Sequence, residues 1–160
     1  MKRLAALALA LHAVTPPLAR GAEPSLEDDV FEAVFRQQVA ELLDSEARGS
    51  GVLLCLEVDP GGAAPQSVDR EFFARFRGEP SLRRGAECEV TAQRAREIAS
   101  GRPAIVVTAG PIEPVAPDEV WVTVIQRYRR GHSFKREYRV VRERTRWISL
   151  GEIFRGLPTD

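Results

Sequence analysis

The apolar residues of this chain change period once, and that change limits the fold more than any other feature. Between Val30 and Leu42 they recur at three- and four-residue spacing (Val30, Phe31, Val34, Phe35, Val39, Leu42), one face of a helix at about 100° per residue. From Val52 onward most apolar stretches are short and β-branched, as strands require. One helix followed mainly by strands reads as the α+β class. A chain of 160 residues, 44% hydrophobic and 29% charged, suits a single core.

The helix has a clear start. Ser25 is the predicted N-cap, Asp28 stands where it can answer the cap, and Glu27 to Asp29 load the first turn with the charge its dipole favours. Arg48-Gly49-Ser50-Gly51 is expected to stop it near Ala47. Gln38 falls within the apolar arc, where an unpaired amide costs a few kcal/mol. It either ties the helix to sheet backbone or points into a ligand pocket between helix and sheet.

Val52 to Val58 reads as a strand ending at Asp59-Pro60-Gly61-Gly62. Ser67 is expected to cap a short extra helix through Phe76, with Phe72, Phe73 and Phe76 plugging the core. Residues 87–98 fit either a strand followed by a turn, or a helix from Thr91 to Ala99. Ala104 to Ala109 is a strand, and Gly110-Pro111, Pro114 and Pro117 predict a loop after it. Glu119 to Tyr128 and Ser133 to Val141 form a hairpin around Arg130-Gly131-His132. An even loop would place Trp121, Thr123, Ile125 and Arg127 on one face with Phe134, Arg136, Tyr138 and Val140. Arg146 to Leu150, with Trp147, is the last strand. The expected architecture is an N-terminal helix packed on a curved, mostly antiparallel sheet of four to six strands, with one short extra helix.

The N-terminus predicts a compartment. Met1-Lys2-Arg3 is a positive start, and Leu4 to Val14 is apolar but too short to span a bilayer. Pro16 and Pro17 follow, and Ala19 with Gly21 satisfies a small-x-small cleavage rule. The reading is a signal peptide over 1–21 and one domain over 22–160. A cut after Ala22 and a membrane anchor are the alternatives. The exported protein would be periplasmic or secreted. Loss of Lys2, Arg3 and Arg20 takes the basic count from 23 to 20 against 23 acids, a balance of −3. In an oxidising compartment Cys55 and Cys88, the only cysteines, are expected to form a structural disulfide. An inert thiol or a redox pair is the alternative, though no C-x-x-C spacing is present.

Several segments together resemble a group of uncharacterised exported bacterial proteins. They are Glu32-Ala33-Val34-Phe35-Arg36-Gln37-Gln38, Leu54 to Pro60, Phe72-Phe73-Ala74-Arg75-Phe76, the Arg83 to Cys88 connector, Val107 to Ile112, Tyr138 to Val141 and Arg146 to Ser149. The resemblance implies a cystatin-like or nuclear-transport-factor-two-like domain, a curved antiparallel sheet around an N-terminal helix. It implies no catalytic residues. The chain departs from the group at Glu143-Arg144-Thr145-Arg146, where a glycine-containing turn is usual.

Catalytic sets are sparse. His132 is the one histidine beyond the leader, in a hairpin tip that offers neither burial nor an orienting carboxylate. There is no Gly-x-Ser-x-Gly, His-Glu-x-x-His or phosphate-cradling glycine loop. Glu57 with Asp59, and Glu87 with Glu89, have the period-two spacing of carboxylates on one strand face. No catalytic residue, metal or cofactor is expected.

Charge is more informative. Residues 23–46 carry eight acids and one Arg, whereas residues 127–146 carry nine basic residues and two acids. Arg127, Arg129, Arg130, Lys135 and Arg136 concentrate at the hairpin tip, a surface for an anionic envelope component or an acidic protein partner. The plainer alternative is a tip whose charges partly answer the acidic helix. Nucleic acid is not expected, because the overall balance is slightly negative and the compartment is wrong. The sequence thus favours an exported non-catalytic module that binds a small ligand, an envelope component or a partner protein. The alternative is a small enzyme with a polar-lined pocket between helix and sheet. An apolar outer sheet face would suit a homodimer.

Overall fold

The change of period is realised as one long helix laid across a mixed sheet. A computed structural model describes residues 25–42, 51–61 and 64–153. The predicted leader and the predicted end of the helix near Ala47 lie outside the described residues. Helix α1 (Leu26–Leu42) is capped as expected, with Asp28 N–H donating to Ser25 Oγ at 3.1 Å. Its buried face is Val30, Phe31, Val34, Phe35 and Gln38.

The main sheet runs β2-β1-β6-β7-β8-β9, and short β3 also pairs with β1. The strands are β1 (Leu53–Val58), β2 (Gln66–Ser67), β3 (Leu82–Arg84), β6 (Ala104–Ala116), β7 (Glu119–Arg129), β8 (His132–Glu143) and β9 (Arg146–Glu152). Strand β1 is parallel to β3 and β6, and the other pairs are antiparallel. A separate ribbon, β4 (Cys88–Val90) with β5 (Ala95–Glu97), settles residues 87–98 as strand, turn and strand. Thr91 closes that turn, its Oγ1 donating to Arg94 C=O at 2.7 Å and accepting from Arg94 N–H at 3.1 Å.

Two cores explain the composition of the central strands. Helix α1 covers one sheet face, packing on Leu54, Leu56, Val107, Val122, Val124, Tyr138 and Val140. On the opposite face Leu53, Cys55, Ala104 and Val106 meet Ala95 of the ribbon, with Cys88 and Val90 against them. Because β1 and the first half of β6 are buried on both faces, they read as continuous apolar runs rather than alternating ones. Cys55 and Cys88 form the expected disulfide, which ties the ribbon to β1.

Three local expectations are corrected. The short helix α2 (Arg70–Phe73), continued as a 3-10 turn over Ala74–Phe76, is capped by Asp69 and not by Ser67. Asp69 Oδ1 accepts from Phe72 N–H at 2.7 Å, while Ser67 is taken up by β2, opposite Glu57. Second, β6 does not end at Gly110-Pro111 but continues to Ala116. Its pairing with β1 stops at Ala109, so beyond it β7 is its only partner among the described residues, and prolines are tolerated on such an edge. Gly110 has a φ of +117°, and a Cβ there would stand 2.1 Å from Asp59 O, so only glycine permits that approach.

The third correction is the register of the long hairpin. The turn joins Arg129 to His132, but the pairing shifts by one between there and Arg127, leaving Tyr128 as an extra residue. Val120, Val122, Val124 and Gln126 therefore stand opposite Val140, Tyr138, Arg136 and Phe134. These residues share one face, turned inward at Val120, Val122, Val124, Gln126, Tyr138 and Val140 and exposed at Phe134, and this is not the pairing of rows that an even loop predicts. The turn before Trp147 forms without glycine, since Arg144 itself takes a φ of +57°.

Candidate functional site

Tyr128 and the new register bring a polar seam beneath α1. Gln38 is completely buried. Its Oε1 accepts from Gln126 Nε2 at 2.7 Å, and its Nε2 donates to Glu41 Oε2 at 3.3 Å. Tyr128 OH donates to Gln126 Oε1 at 3.1 Å, and Tyr138 OH donates to Glu41 Oε2 at 2.7 Å. Burial pushes the Tyr138 phenol well above the ordinary tyrosine value, and the Glu41 hydrogen bond adds to the rise; burial also raises Tyr128. Both phenols stay protonated as donors at neutral pH. Gln38 is thus tied to the sheet through a second amide rather than through backbone.

Gln126 and Tyr138 were missed because the expected register set them on opposite faces of the hairpin. The signal was the sequence Val120-x-Val122-x-Val124-x-Gln126, a polar residue closing an inward row. Gln126→Leu should cost about 1–3 kcal/mol by leaving Gln38 Oε1 without its donor. Gln38→Leu/Gln126→Leu should cost clearly less than the two single variants summed, as measured by urea denaturation. Strict additivity would mean the two amides do not depend on each other.

The paired carboxylates do not act together. Glu57 accepts from Arg127 Nη2 and from Thr108 Oγ1, the latter at 3.0 Å, whereas Asp59 turns to Gly61 N–H at 2.9 Å. Glu87 holds Arg84, and Glu89 holds Arg96. Each is engaged by a separate partner. Among the described residues no group of three or more His, Cys, Asp or Glu is placed to hold a metal ion.

The five tip cations divide. Arg136 bonds Glu152 at 2.8 Å on the face it shares with Tyr138. Arg127 bonds Glu57 and Thr108, and its Nε is buried without an acceptor, an arrangement that costs on the order of 1–3 kcal/mol. Arg129, Arg130 and Lys135 have no carboxylate partner among the described residues, and all three are exposed. Three acids of α1 are answered elsewhere: Arg75 bonds Asp29 at 2.8 Å and Glu32 at 3.0 Å and lies 3.8 Å from Asp28, and Arg36 also takes Glu32.

A groove of about 290 Å3 runs beside the tip, lined by Arg127, Arg129, Arg130, Gly131, His132 and Ser133, together with Val90 of the ribbon. Arg130 N–H donates to Thr91 C=O at 2.7 Å, so the ribbon holds the tip by its backbone. Exposed Arg94 stands in the same ribbon turn, a cation the sequence reading left out. His132 packs edge-on against Tyr128 and Phe134, with ring centroids 6.0 and 5.2 Å away. A larger groove of about 540 Å3, between α1 and β9, mixes Asp29, Glu32, Arg36 and Arg146 around Trp147. On β9, where a copy-to-copy contact would find apolar surface, Ile148 and Leu150 are exposed.

No family model, curated protein or solved structure matches this chain. Among the described residues no helix is long and apolar enough to cross a membrane.

Proposed function

We propose that this chain is an exported, non-catalytic module of the cystatin-like or nuclear-transport-factor-two-like kind, which binds an anionic component of the cell envelope through its basic tip. The observation that carries this reading is the division of the cations. Asp28, Asp29 and Glu32 of α1 are answered by Arg36 and Arg75 and Glu41 by Gln38 and Tyr138, and among the described residues none of these acids reaches Arg129, Arg130 or Lys135, which are left at the tip. Charges spread over a protruding hairpin and its supporting ribbon suit a surface better than a deep ligand cavity. The helix laid on a curved sheet and the Cys55–Cys88 disulfide support the fold and export parts of the reading.

The test is co-sedimentation of the chain without residues 1–21 with phosphatidylglycerol vesicles. Binding should be absent on phosphatidylcholine alone and should fall steeply as salt is raised, because exposed charges are screened. Equal retention on both vesicles, or none on either, counts against the reading.

A further inference from the structure

The groove beside the tip differs in kind from the other described groove on α1. No carboxylate stands on its wall, whereas the α1–β9 groove carries Asp29 and Glu32. Arg127 answers only Glu57, and Arg129 and Arg130 answer no acid among the described residues. Three guanidiniums against one carboxylate leave a surplus of two positive charges. Ser133 adds a hydroxyl donor, and Val90 of the ribbon completes the lining.

Part of the groove is assembled in advance. Arg127 is fixed by Glu57 and Thr108 beneath it, and the Arg130 N–H is fixed by Thr91 of the ribbon. Groups already held in place lose less freedom when a ligand arrives. Guanidinium forks match the oxygens of a phosphate in pairs. A phosphate monoester carries about −1.5 to −2 near neutral pH, enough to meet the surplus, which a single carboxylate would leave half answered. At about 290 Å3 the space is at the small end for a ligand site and suits one such group.

Building on the tip as the contact surface, we propose that this groove is a site for a single phosphate monoester, carried by a lipid headgroup or by a soluble molecule. The probes are glycerol 3-phosphate and phosphatidate vesicles, each at ionic strength matched with chloride. Glycerol 3-phosphate should shift the amide NMR signals of Val90 and of residues 129–133. Arg129→Ala/Arg130→Ala should weaken its binding at least tenfold, and Lys135→Ala, outside the groove, less than twofold. The same spectra report that each variant is folded.

If phosphatidate vesicles also retain the protein and glycerol 3-phosphate displaces it, the site takes a lipid headgroup. Binding of glycerol 3-phosphate without vesicle retention assigns the site to a soluble phosphate ester and removes the surface reading instead. Unmoved signals at 90 and 129–133, or equal losses from Lys135→Ala and the double variant, overturn the site. Retention on phosphatidylglycerol vesicles in that case leaves the broader tip reading standing alone.

Discussion

Phe35→Ala is expected to lower the stability of the folded chain by about 3–5 kcal/mol, the largest loss from any single substitution considered. Phe35 is completely buried, and three parts of the fold meet on its ring. It is held in α1, it faces the concave side of the sheet, and its edge contacts reach Phe72 and Phe76 at centroid distances of 6.1 and 6.4 Å. Those two rings also lie 5.6 Å from each other, so losing Phe35 leaves both without their common neighbour. Aromatic pairs of this geometry add about 0.5–1.5 kcal/mol beyond the area they bury. The site is poorly able to collapse, because the sheet is fixed by its ladder and α2 by its Asp69 cap. Half-buried Phe73, which packs at the margin of the same cluster, should lose much less on the same change. Urea denaturation of Phe35→Ala and Phe73→Ala side by side makes the comparison. A Phe35 loss below about 1.5 kcal/mol would mean that the aromatic plug is looser than the ring geometry implies.

Much of this fold was legible because the relevant physics is local. The spacing of Val30, Phe31, Val34 and Phe35 dictates a helix face, and Ser25 marks its start, whatever the rest of the chain does. The runs at Leu53–Leu56 and Ala104–Ala109 announced strands, while their burial on both faces came only with the structure. The errors came where one residue alters the parity of everything after it. Tyr128 has no sequence mark that separates it from a strand residue, yet as a bulge it brings Tyr138 onto the same face as Gln126. Pro111 misled for a related reason: a proline breaks a central strand but not an edge, and β1 stops just where β6 reaches it.

The tip was legible as a charged surface, but the groove beside it was not. Five cations in ten residues are visible in any reading, but which of them are neutralised depends on partners far away in sequence, such as Glu57 for Arg127 and Glu152 for Arg136. The wall that turns the tip into a groove depends on a backbone hydrogen bond from Arg130 to Thr91, and backbone pairing leaves no trace in side-chain identity.

Cys55→Ala/Cys88→Ala is expected to cost about 3–4 kcal/mol, and the loss should be uneven across the molecule. The two residues are 33 apart, so the bond closes a loop whose freedom in the unfolded chain it removes. That part of the effect is global and would appear as a lowered urea midpoint. A second, local part follows from what the bond holds. The β4–β5 ribbon is only three residues per strand, and besides the disulfide it is held by Ala95 and Val90, the Arg83–Glu97 pair, the Arg130–Thr91 and Glu97–Arg102 backbone hydrogen bonds and a bridge between Arg96 and Pro103. A two-stranded ribbon of that length has little stability of its own. Without the bond it should open more often than the sheet does, and the Arg130 N–H should lose its protection with it. Amide hydrogen exchange distinguishes the two contributions. Faster exchange at Arg130, Thr91 and Ile98, whose N–H groups bond to or across the ribbon, with β6–β7 slowed as before relative to global unfolding, would show that the disulfide positions the basic groove. A uniform rise across all amides would confine its role to the unfolded chain, and the groove would then have to be held by the ribbon's own contacts. In the first case reduction of the wild-type protein should also weaken glycerol 3-phosphate binding under conditions where the core remains folded, which links the only covalent crosslink of the chain to the surface proposed to carry its function.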